Sequence, residues 1–228
     1  MAQLECRNLT LGYEGTVVAK GIDFSLNKGD YLCILGENGS GKSTLAKAIL
    51  RLNNALAGEI LFGEGLKANR IGYLPQQTPS QKDFPASVKE IILSGGLNRG
   101  GLFPFYSKVE KERAATVMEQ LQLLPLEHRC FRELSGGQQR KVLLARALMA
   151  TRELLLLDEP AAALDPQATA ELYETIQALN EQQNITIIMI SHDLAAAKKY
   201  ADKILHIGKD SSHFCKAEDY FKGGISHD

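Results

Sequence analysis

A glycine-rich segment in the first quarter of the chain has the residue types that hold a chain of phosphates. It fits the pattern G-x-x-x-x-G-K-[ST] at every fixed position, and we call residues 36–43 the phosphate loop. Its members, with the residue that follows, are Gly36, Glu37, Asn38, Gly39, Ser40, Gly41, Lys42, Ser43 and Thr44. Glycines let a loop curl without Cβ clashes, so backbone N–H groups and the dipole of a following helix can face an anion. Lys42 would reach the β- and γ-phosphates of ATP and Ser43 would ligate Mg²⁺, whereas a glycine-rich turn without function is the alternative.

Two acidic residues and a histidine follow apolar runs later in the chain. Asp158 comes after four leucines, which predicts a carboxylate at the carboxyl end of a buried strand that would bind Mg²⁺ directly or through water. Glu159 is next and would act as the general base or orient the attacking water. His192 follows the apolar run 185–190, and a neutral imidazole there could bond to the γ-phosphate. The alternatives are an ordinary Asp-Glu-Pro turn and a surface or core histidine.

The hydrophobic pattern predicts the elements that would hold these side chains. The apolar run 31–35 is typical of a buried parallel strand, residues 43–52 are typical of a helix, and residues 4–30 alternate as a small antiparallel sheet. Further strands are predicted at 59–62, 71–74, 154–157, 185–190 and, last in the chain, 203–207, and further helices at 88–93, 110–124, 135–149, 168–181 and 194–200. Strands that alternate with helices imply a parallel sheet covered on both faces, into which the helical block of about 80–149 is inserted.

The composition is typical of a globular protein. The chain has 228 residues, of which 44% are hydrophobic and 23% charged, and its net charge of −1 indicates no general affinity for nucleic acid. The sequence shows no signal region and no apolar stretch of the roughly 18 residues that a membrane span needs. We therefore expect that any role at a membrane is peripheral. The four cysteines are scattered, which is typical of a reducing cytosol, and Cys33 is predicted to be a core residue.

A short segment after the helical block carries a family resemblance. It consists of Leu134, Ser135, Gly136, Gly137 and Gln138, and we call it the signature segment. Together with the phosphate loop upstream and Leu-Leu-Leu-Asp-Glu-Pro downstream, it resembles the ATP-binding cassette (ABC) family over nearly the whole chain. The start of the helix that it opens is an anion site, which in the resembled family faces the γ-phosphate held by a second subunit. The resemblance implies a homodimer that sandwiches two ATP molecules.

The resemblance also implies a fold and a division of the chain. The fold is α/β, with a P-loop NTPase (RecA-like) parallel-sheet core, an N-terminal antiparallel β-subdomain and an inserted α-helical subdomain. Residues 1–228 would form a single ATPase domain. Residues 1–79 and 150–228 would form the core with its β-subdomain, and residues 80–149 the helical subdomain.

Three further positions match the family one by one. Tyr13 stands 23 residues before Gly36, where the family has an aromatic ring that stacks on adenine, although a core tyrosine is the alternative. Gln76 resembles the glutamine that contacts Mg²⁺ and senses the transport partner, and Gln77 is a weaker candidate for that role. The run Ala163-Leu164-Asp165 resembles the loop that in this family crosses to the second subunit.

The crossing loop also departs from the family. Ala161 and Ala162 stand where the family commonly has Thr and Ser. This difference puts hydroxyl contacts across the dimer in doubt, whereas Asp165 is retained.

The class of cassette follows from length and copy number. Only 58 positions separate residues 76 and 134, which leaves no room for the long coiled coils of chromosome-maintenance ATPases, and the chain has one cassette rather than two. The resemblance therefore implies a peripheral ATPase subunit at the cytoplasmic face of the cell membrane, with an integral permease, a separate solute-binding protein and no nucleic-acid partner. Residues 83–88 and 91–95 resemble zinc and manganese importer ATPases, so the expected cargo is zinc or a related transition metal. The alternatives are another solute, or a soluble ATPase in nucleic-acid or ribosome regulation.

One segment and one group of residues have two possible interpretations each. Segment 94–106 could form a docking patch for the permease or the local core of the helical block, with Leu97, Leu102, Phe103, Phe105 and Tyr106 as its apolar members. His206, His213 and Cys215 could form a metal sensor near the end of the chain, although their spacing matches no strong zinc pattern.

Overall fold

The computed structural model describes residues 2–13, 16–63, 65–76, 84–97, 106–208 and 211–223. Four residues named above lie outside the described residues: Gln77, Leu102, Phe103 and Phe105. The first residue of segment 83–88, Asp83, also lies outside them. Within these ranges no helix has the length and apolarity that a membrane crossing requires.

Strands and helices alternate along most of the described chain. The strands are β1 (Leu4–Tyr13), β2 (Thr16–Leu26), β3 (Tyr31–Leu35), β4 (Ala57–Phe62), β5 (Ile71–Leu74), β6 (Leu154–Asp158), β7 (Thr186–Ile190), β8 (Lys203–Ile207) and β9 (Ser212–Lys216). The α-helices are α1 (Lys42–Ile49), α2 (Val88–Ser94), α3 (Lys108–Gln120), α4 (Gly136–Ala150), α5 (Pro166–Gln183), α6 (Leu194–Tyr200) and α7 (Ala217–Lys222).

A six-stranded sheet forms the centre of the molecule. Its order is β5-β6-β7-β3-β8-β9, and the first five strands are parallel. Every residue of β3, β6 and β7 is buried, because hydrophobic clusters cover both faces of the sheet. Strands buried on both faces are apolar without alternation, which explains the continuous runs in the sequence. Cys33 in β3 is fully buried, as predicted for a core residue.

A second sheet packs against one face of the first. It is antiparallel, with the order β2-β1-β4, so the strand predicted at 59–62 joins the N-terminal sheet rather than the central one. Gly58 allows this pairing, because a Cβ there would lie only 2.3 Å from the carbonyl oxygen of Asn8. The parallel core, the antiparallel sheet and the helices between β5 and β6 confirm the predicted fold class.

Three α-helices of the described chain lie between β5 and β6, and serines cap each of them. Ser87, Ser107 and Ser135 accept a hydrogen bond from the N–H three residues on, and the side chain of that residue bonds back to the serine N–H. Such reciprocal caps satisfy backbone donors that a helix start leaves unpaired. The position of the subdomain boundaries, at 79/80 and 149/150, stays a prediction.

Two predictions about element ends are wrong. The strand at 203–207 is not the last, because β9 pairs antiparallel with β8 and leads into α7. The helix predicted at 110–124 begins at Lys108 and ends at Gln120. Gln122 takes a φ of 58°, a left-handed conformation that the helix cannot contain, so the apolar residues beyond it pack as a turn.

Candidate functional site

The phosphate loop connects the central strand of the sheet to α1. Gly36, Gly39 and Gly41 have φ values of 146°, 82° and 99°, which side chains with a Cβ rarely adopt. A Cβ on Gly36 would also lie 2.3 Å from the carbonyl oxygen of Ile207, so the loop passes too close to β8 for any other residue. The glycines therefore set a loop whose backbone curls in front of the helix start.

Lys42 is buried within that loop. Its Nζ donates to the carbonyl oxygens of Gly36 at 2.8 Å and Glu37 at 2.7 Å. Burial lowers the pKa of the Lys42 ammonium, whereas the nearby carboxylates of Glu159 and Asp158 act in the opposite direction. Among the described residues, the Lys42 ammonium donates hydrogen bonds only to these carbonyls. It is therefore available to a phosphate, which is a stronger acceptor than a carbonyl.

Asp158 and Ser43 meet beside the loop. Asp158 ends β6 and is 4% exposed, and its carboxylate accepts a hydrogen bond from the Ser43 side chain. Burial raises the pKa of Asp158, while the bond from Ser43 lowers it. A hydroxyl and a carboxylate in contact are the oxygen ligands that Mg²⁺ prefers, so these two residues fit the predicted metal site.

Glu159, Gln76 and His192 form one cluster. The Glu159 carboxylate accepts from Gln76 Nε2 at 2.7 Å through one oxygen, and its other oxygen lies 3.1 Å from His192 Nε2. Each residue stands just beyond a strand end, and β5, β6 and β7 are neighbours in the sheet. The structure thus brings together the three residues to which sequence reasoning assigned catalysis.

Tyr13 lies at the end of β1 and is 43% exposed, so it is not a core residue. Its hydroxyl accepts from Thr44 Oγ1 at 3.3 Å, which places the ring beside the first turn of α1. An exposed ring next to the phosphate loop has a face available for stacking.

The signature segment forms the start of α4. Ser135 is the N-cap, and Gly136 and Gly137 form the first turn with Gln138 in the capping box. A Cβ on Gly137 would lie 3.0 Å from Cβ of Ala168, so this turn packs closely on α5. Asp165 is the N-cap of α5, where its Oδ1 accepts from Ala168 N at 2.9 Å. The exposed helix start and the crossing loop therefore form one surface.

Sequence reasoning missed Arg140. It lies on the same face of α4 as Leu144 and Leu148, all three are buried, and its guanidinium faces the carbonyl oxygens of Pro75 and Glu159. A charged residue within an apolar stripe was the available signal, because such a position normally holds an aliphatic side chain.

Two predictions remain, and the docking segment 94–106 is only partly described. Leu97 is exposed and Tyr106 packs against the core, so the docking patch stays a prediction. His206 Nδ1 lies 3.0 Å from the Tyr220 hydroxyl. No group of three metal-binding side chains occurs among the residues that the structure describes, and His206, His213 and Cys215 therefore do not form the predicted metal sensor there.

Comparison with known proteins identifies the family. The model of the ABC transporter family matches residues 19–162, a range that holds the phosphate loop, the signature segment and Glu159. The chain belongs to the ABC transporter family. Its relatives include the zinc uptake system ATP-binding protein ZurA of Listeria innocua, which is 35% identical over 90% of this chain and 82% of that protein. The manganese transport system ATP-binding protein MntB of Bacillus subtilis is 34% identical over 97% of this chain and 89% of that protein.

Solved structures of ABC proteins have the same fold. A chain from an inward-facing structure of a metal-chelate type ABC transporter has a TM-score of 0.86 and 32% identity, over 96% of this chain and 85% of that one. A nucleotide-free ATP-binding cassette from an ABC transporter has a TM-score of 0.82 and 28% identity, over 98% of this chain and 94% of that one. The ABC assignment made from the signature segment is confirmed.

Proposed function

We propose that this ABC protein is a Mg-ATP hydrolase whose turnover powers a separate membrane permease. The observation that carries the proposal is the cluster of Glu159, Gln76 and His192 beside a phosphate loop with a buried Lys42. A carboxylate at that position can accept a proton from the attacking water, and an amide and an imidazole beside it can orient the water or donate to the γ-phosphate.

The residues divide the work of hydrolysis among them. Tyr13 would stack on adenine, and the phosphate loop from Gly36 to Thr44 would bind the phosphates through its backbone N–H groups and Lys42. Ser43, Asp158 and Gln76 would hold Mg²⁺, which when bound neutralises charge on the β- and γ-phosphate oxygens.

Glu159 would accept a proton from the attacking water. At the same time the water oxygen would bond to the γ-phosphorus, and the bond from the γ-phosphorus to the bridging oxygen would break, which releases ADP. The N–H of His192 would, with Gln76, hold the Glu159 carboxylate in place until ATP binds, and would then donate to the γ-phosphate instead. General base catalysis of this kind contributes about 10²- to 10⁴-fold to a rate.

A second copy of the chain would complete each site. The exposed start of α4, with Ser135, Gly136 and Gly137, would present N–H donors to the γ-phosphate held by the other copy. Leu134 and Gln138 flank that turn, and Asp165 lies on the same surface. We infer a homodimer in the ATP-bound state.

The names of the relatives support a proposal for the transport partner and the cargo. Since proteins 34% and 35% identical are named for manganese transport and zinc uptake, we infer a peripheral subunit at the cytoplasmic face of the membrane beneath a permease for zinc or a related transition metal. A solute-binding protein would complete the system.

The test begins with ATPase assays of the purified chain. The wild type should hydrolyse ATP only with Mg²⁺, and Glu159→Gln should keep ATP binding but lose at least about 100-fold in kcat and accumulate as an ATP-bound dimer. Glu174→Gln, an exposed residue on α5, is the matched control and should retain wild-type turnover. Near-normal hydrolysis by Glu159→Gln would move the general base elsewhere.

The second step tests transport. Wild type and Glu159→Gln, expressed with their native neighbours, are purified from detergent-solubilised membranes. A stable integral membrane protein in the eluate supports the proposal, and its intramembrane residues then identify the cargo. Ribosomes or DNA in its place would refute the transport role and leave the ATPase assignment intact.

A further inference from the structure

Arg140 is a buried charge on the helix that follows the signature segment. It lies on α4, is 1% exposed, and is among the largest fully buried side chains of the described chain. Taking a guanidinium out of water is costly unless its donors are satisfied, so its presence needs a physical reason.

The guanidinium connects two segments of the site. Its Nη1 lies 3.4 Å from the carbonyl oxygen of Pro75, and its Nη2 lies 3.4 Å from the carbonyl oxygen of Glu159. Its Nε has no hydrogen-bond partner among the described residues. Both contacts are long for N–H···O bonds, so a small movement could shorten them.

Both carbonyls belong to backbone directly beside the chemistry. Pro75 immediately precedes Gln76, whose side chain donates to the Glu159 carboxylate. Glu159 has a φ of 47°, a left-handed conformation that a residue with a side chain keeps only when its surroundings hold it. Its N–H donates to Ile190 at 3.0 Å, and its carbonyl accepts from Ala162 at 3.2 Å as well as facing Arg140.

We propose that Arg140 is a positioning residue for hydrolysis. It holds the backbones of Gln76 and Glu159 in a fixed position relative to α4, the helix that the signature segment opens. This inference rests on the proposed function, because it assumes that Glu159 and Gln76 act on ATP. The planar fork of arginine bonds to two separate carbonyls at once, which no aliphatic side chain of that size can do. A movement of α4 would thereby also move the general base, Glu159.

The experiment separates positioning from folding by measuring kcat, ATP affinity and thermal stability of Arg140→Met and Arg140→Lys. Arg140→Met removes every donor, and we expect kcat to fall about 10- to 100-fold because a displacement of a catalytic group by about 1 Å has an effect of that size. ATP affinity, read with a fluorescent nucleotide, should change by less than about twofold, since the loss concerns the reacting geometry rather than binding. Arg140→Lys keeps the positive charge and can reach one of the two carbonyls. Its kcat should lie between that of the wild type and that of Arg140→Met.

Arg113→Met is the matched control. The Arg113 guanidinium also bonds two carbonyls, those of Leu148 and Thr151 at 2.7 Å each, but at the far end of α4. Arg113→Met should lower the melting temperature while kcat stays within about twofold of the wild type, because its two bonds to Leu148 and Thr151 involve no residue assigned to catalysis.

The inference is overturned if folded Arg140→Met keeps the wild-type kcat, or if Arg113→Met loses as much kcat as Arg140→Met does, because a loss of stability alone would then explain the effect. Should Arg140→Met fail to fold, Arg140→Lys decides: a loss of kcat at unchanged ATP affinity supports the inference, and wild-type kcat refutes it. Absence of ATPase activity in the wild type would instead refute the proposed function, so the two failures are distinguishable.

Discussion

At the scale of single residues, the proposed nucleotide site contains hydrogen bonds within the protein that a bound nucleotide would replace. Lys42 donates to two carbonyls of its own loop, and Ser43 donates to Asp158. Each of these donors has an acceptor within the protein, so ATP binding would exchange hydrogen bonds rather than desolvate unpaired groups. Such exchange favours the ligand because charge-assisted bonds to phosphate are stronger than bonds to carbonyls.

Lys42→Ala tests this reading of the phosphate loop. We expect ATP to bind at least about 10-fold more weakly, since a hydrogen bond to a charged group contributes about 1.5–3 kcal/mol. The measurement is a titration with ATP by calorimetry, with Lys111→Ala on the exposed face of α3 as the control. Unchanged affinity in the Lys42 variant would show that the phosphates bind elsewhere.

At the scale of elements, the start of α4 has a structural role as a helix cap and, in the proposed function, a role in hydrolysis. Ser135 accepts from Gln138 N at 3.3 Å, and the Gln138 side chain accepts from Ser135 N at 3.1 Å. The same reciprocal cap occurs at Ser107 and Glu110 at the start of α3, which carries no residue assigned to ATP. The two helices therefore allow the role in stability to be separated from the role in hydrolysis.

Replacing each capping serine makes that separation. Ser135→Ala and Ser107→Ala should each lower the free energy of unfolding by about 1 kcal/mol, because each loses an N-cap. ATPase activity should fall in Ser135→Ala alone, since only that helix start would face a phosphate. The measurements are urea denaturation and steady-state ATPase rates. Equal ATPase activity in the two variants would contradict a functional role for the start of α4.

At the scale of the whole molecule, the buried centre of the sheet makes stability sensitive to alkaline pH. Burial raises the pKa of the Cys33 thiol to about 12 from an ordinary value of 9.0. A thiol whose pKa is raised on folding stabilises the native state fully below the unfolded value, and this contribution is lost as pH rises towards the folded value. The loss therefore falls between about pH 9 and about pH 12.

Cys33→Ala should reduce the alkaline loss of stability. Between pH 8 and pH 10 the wild type should lose about 1.4 kcal/mol more of its free energy of unfolding than the variant, which corresponds to one unit of pKa. Denaturation curves at the two pH values measure this difference, because the packing lost with the sulfur is the same at both and cancels. Parallel declines in the two proteins would show that the thiol does not contribute.

Much of the site could be predicted because its signals are local. The phosphate loop needs glycines at set spacings to adopt positive φ, and buried strands such as β3 and β6 need unbroken apolar runs. Both conditions are met within a few neighbouring residues and are visible without a structure. Strand β9 was not predicted, because its five residues are partly exposed and lack a strong pattern. The predicted end of α3 was wrong because the apolar pattern continues beyond the helix into a turn.

What the residues alone indicated was the chemistry: a loop for phosphates, carboxylates for a metal and a water, and a helix start for an anion. The tertiary structure decided which of them meet. Gln76, Glu159 and His192 come together because β5, β6 and β7 are neighbours, and the two arms of Arg140 reach Pro75 and Glu159 because α4 packs behind that edge. Strand order and helix packing depend on contacts between segments far apart in the chain, so no local pattern of residues could specify them.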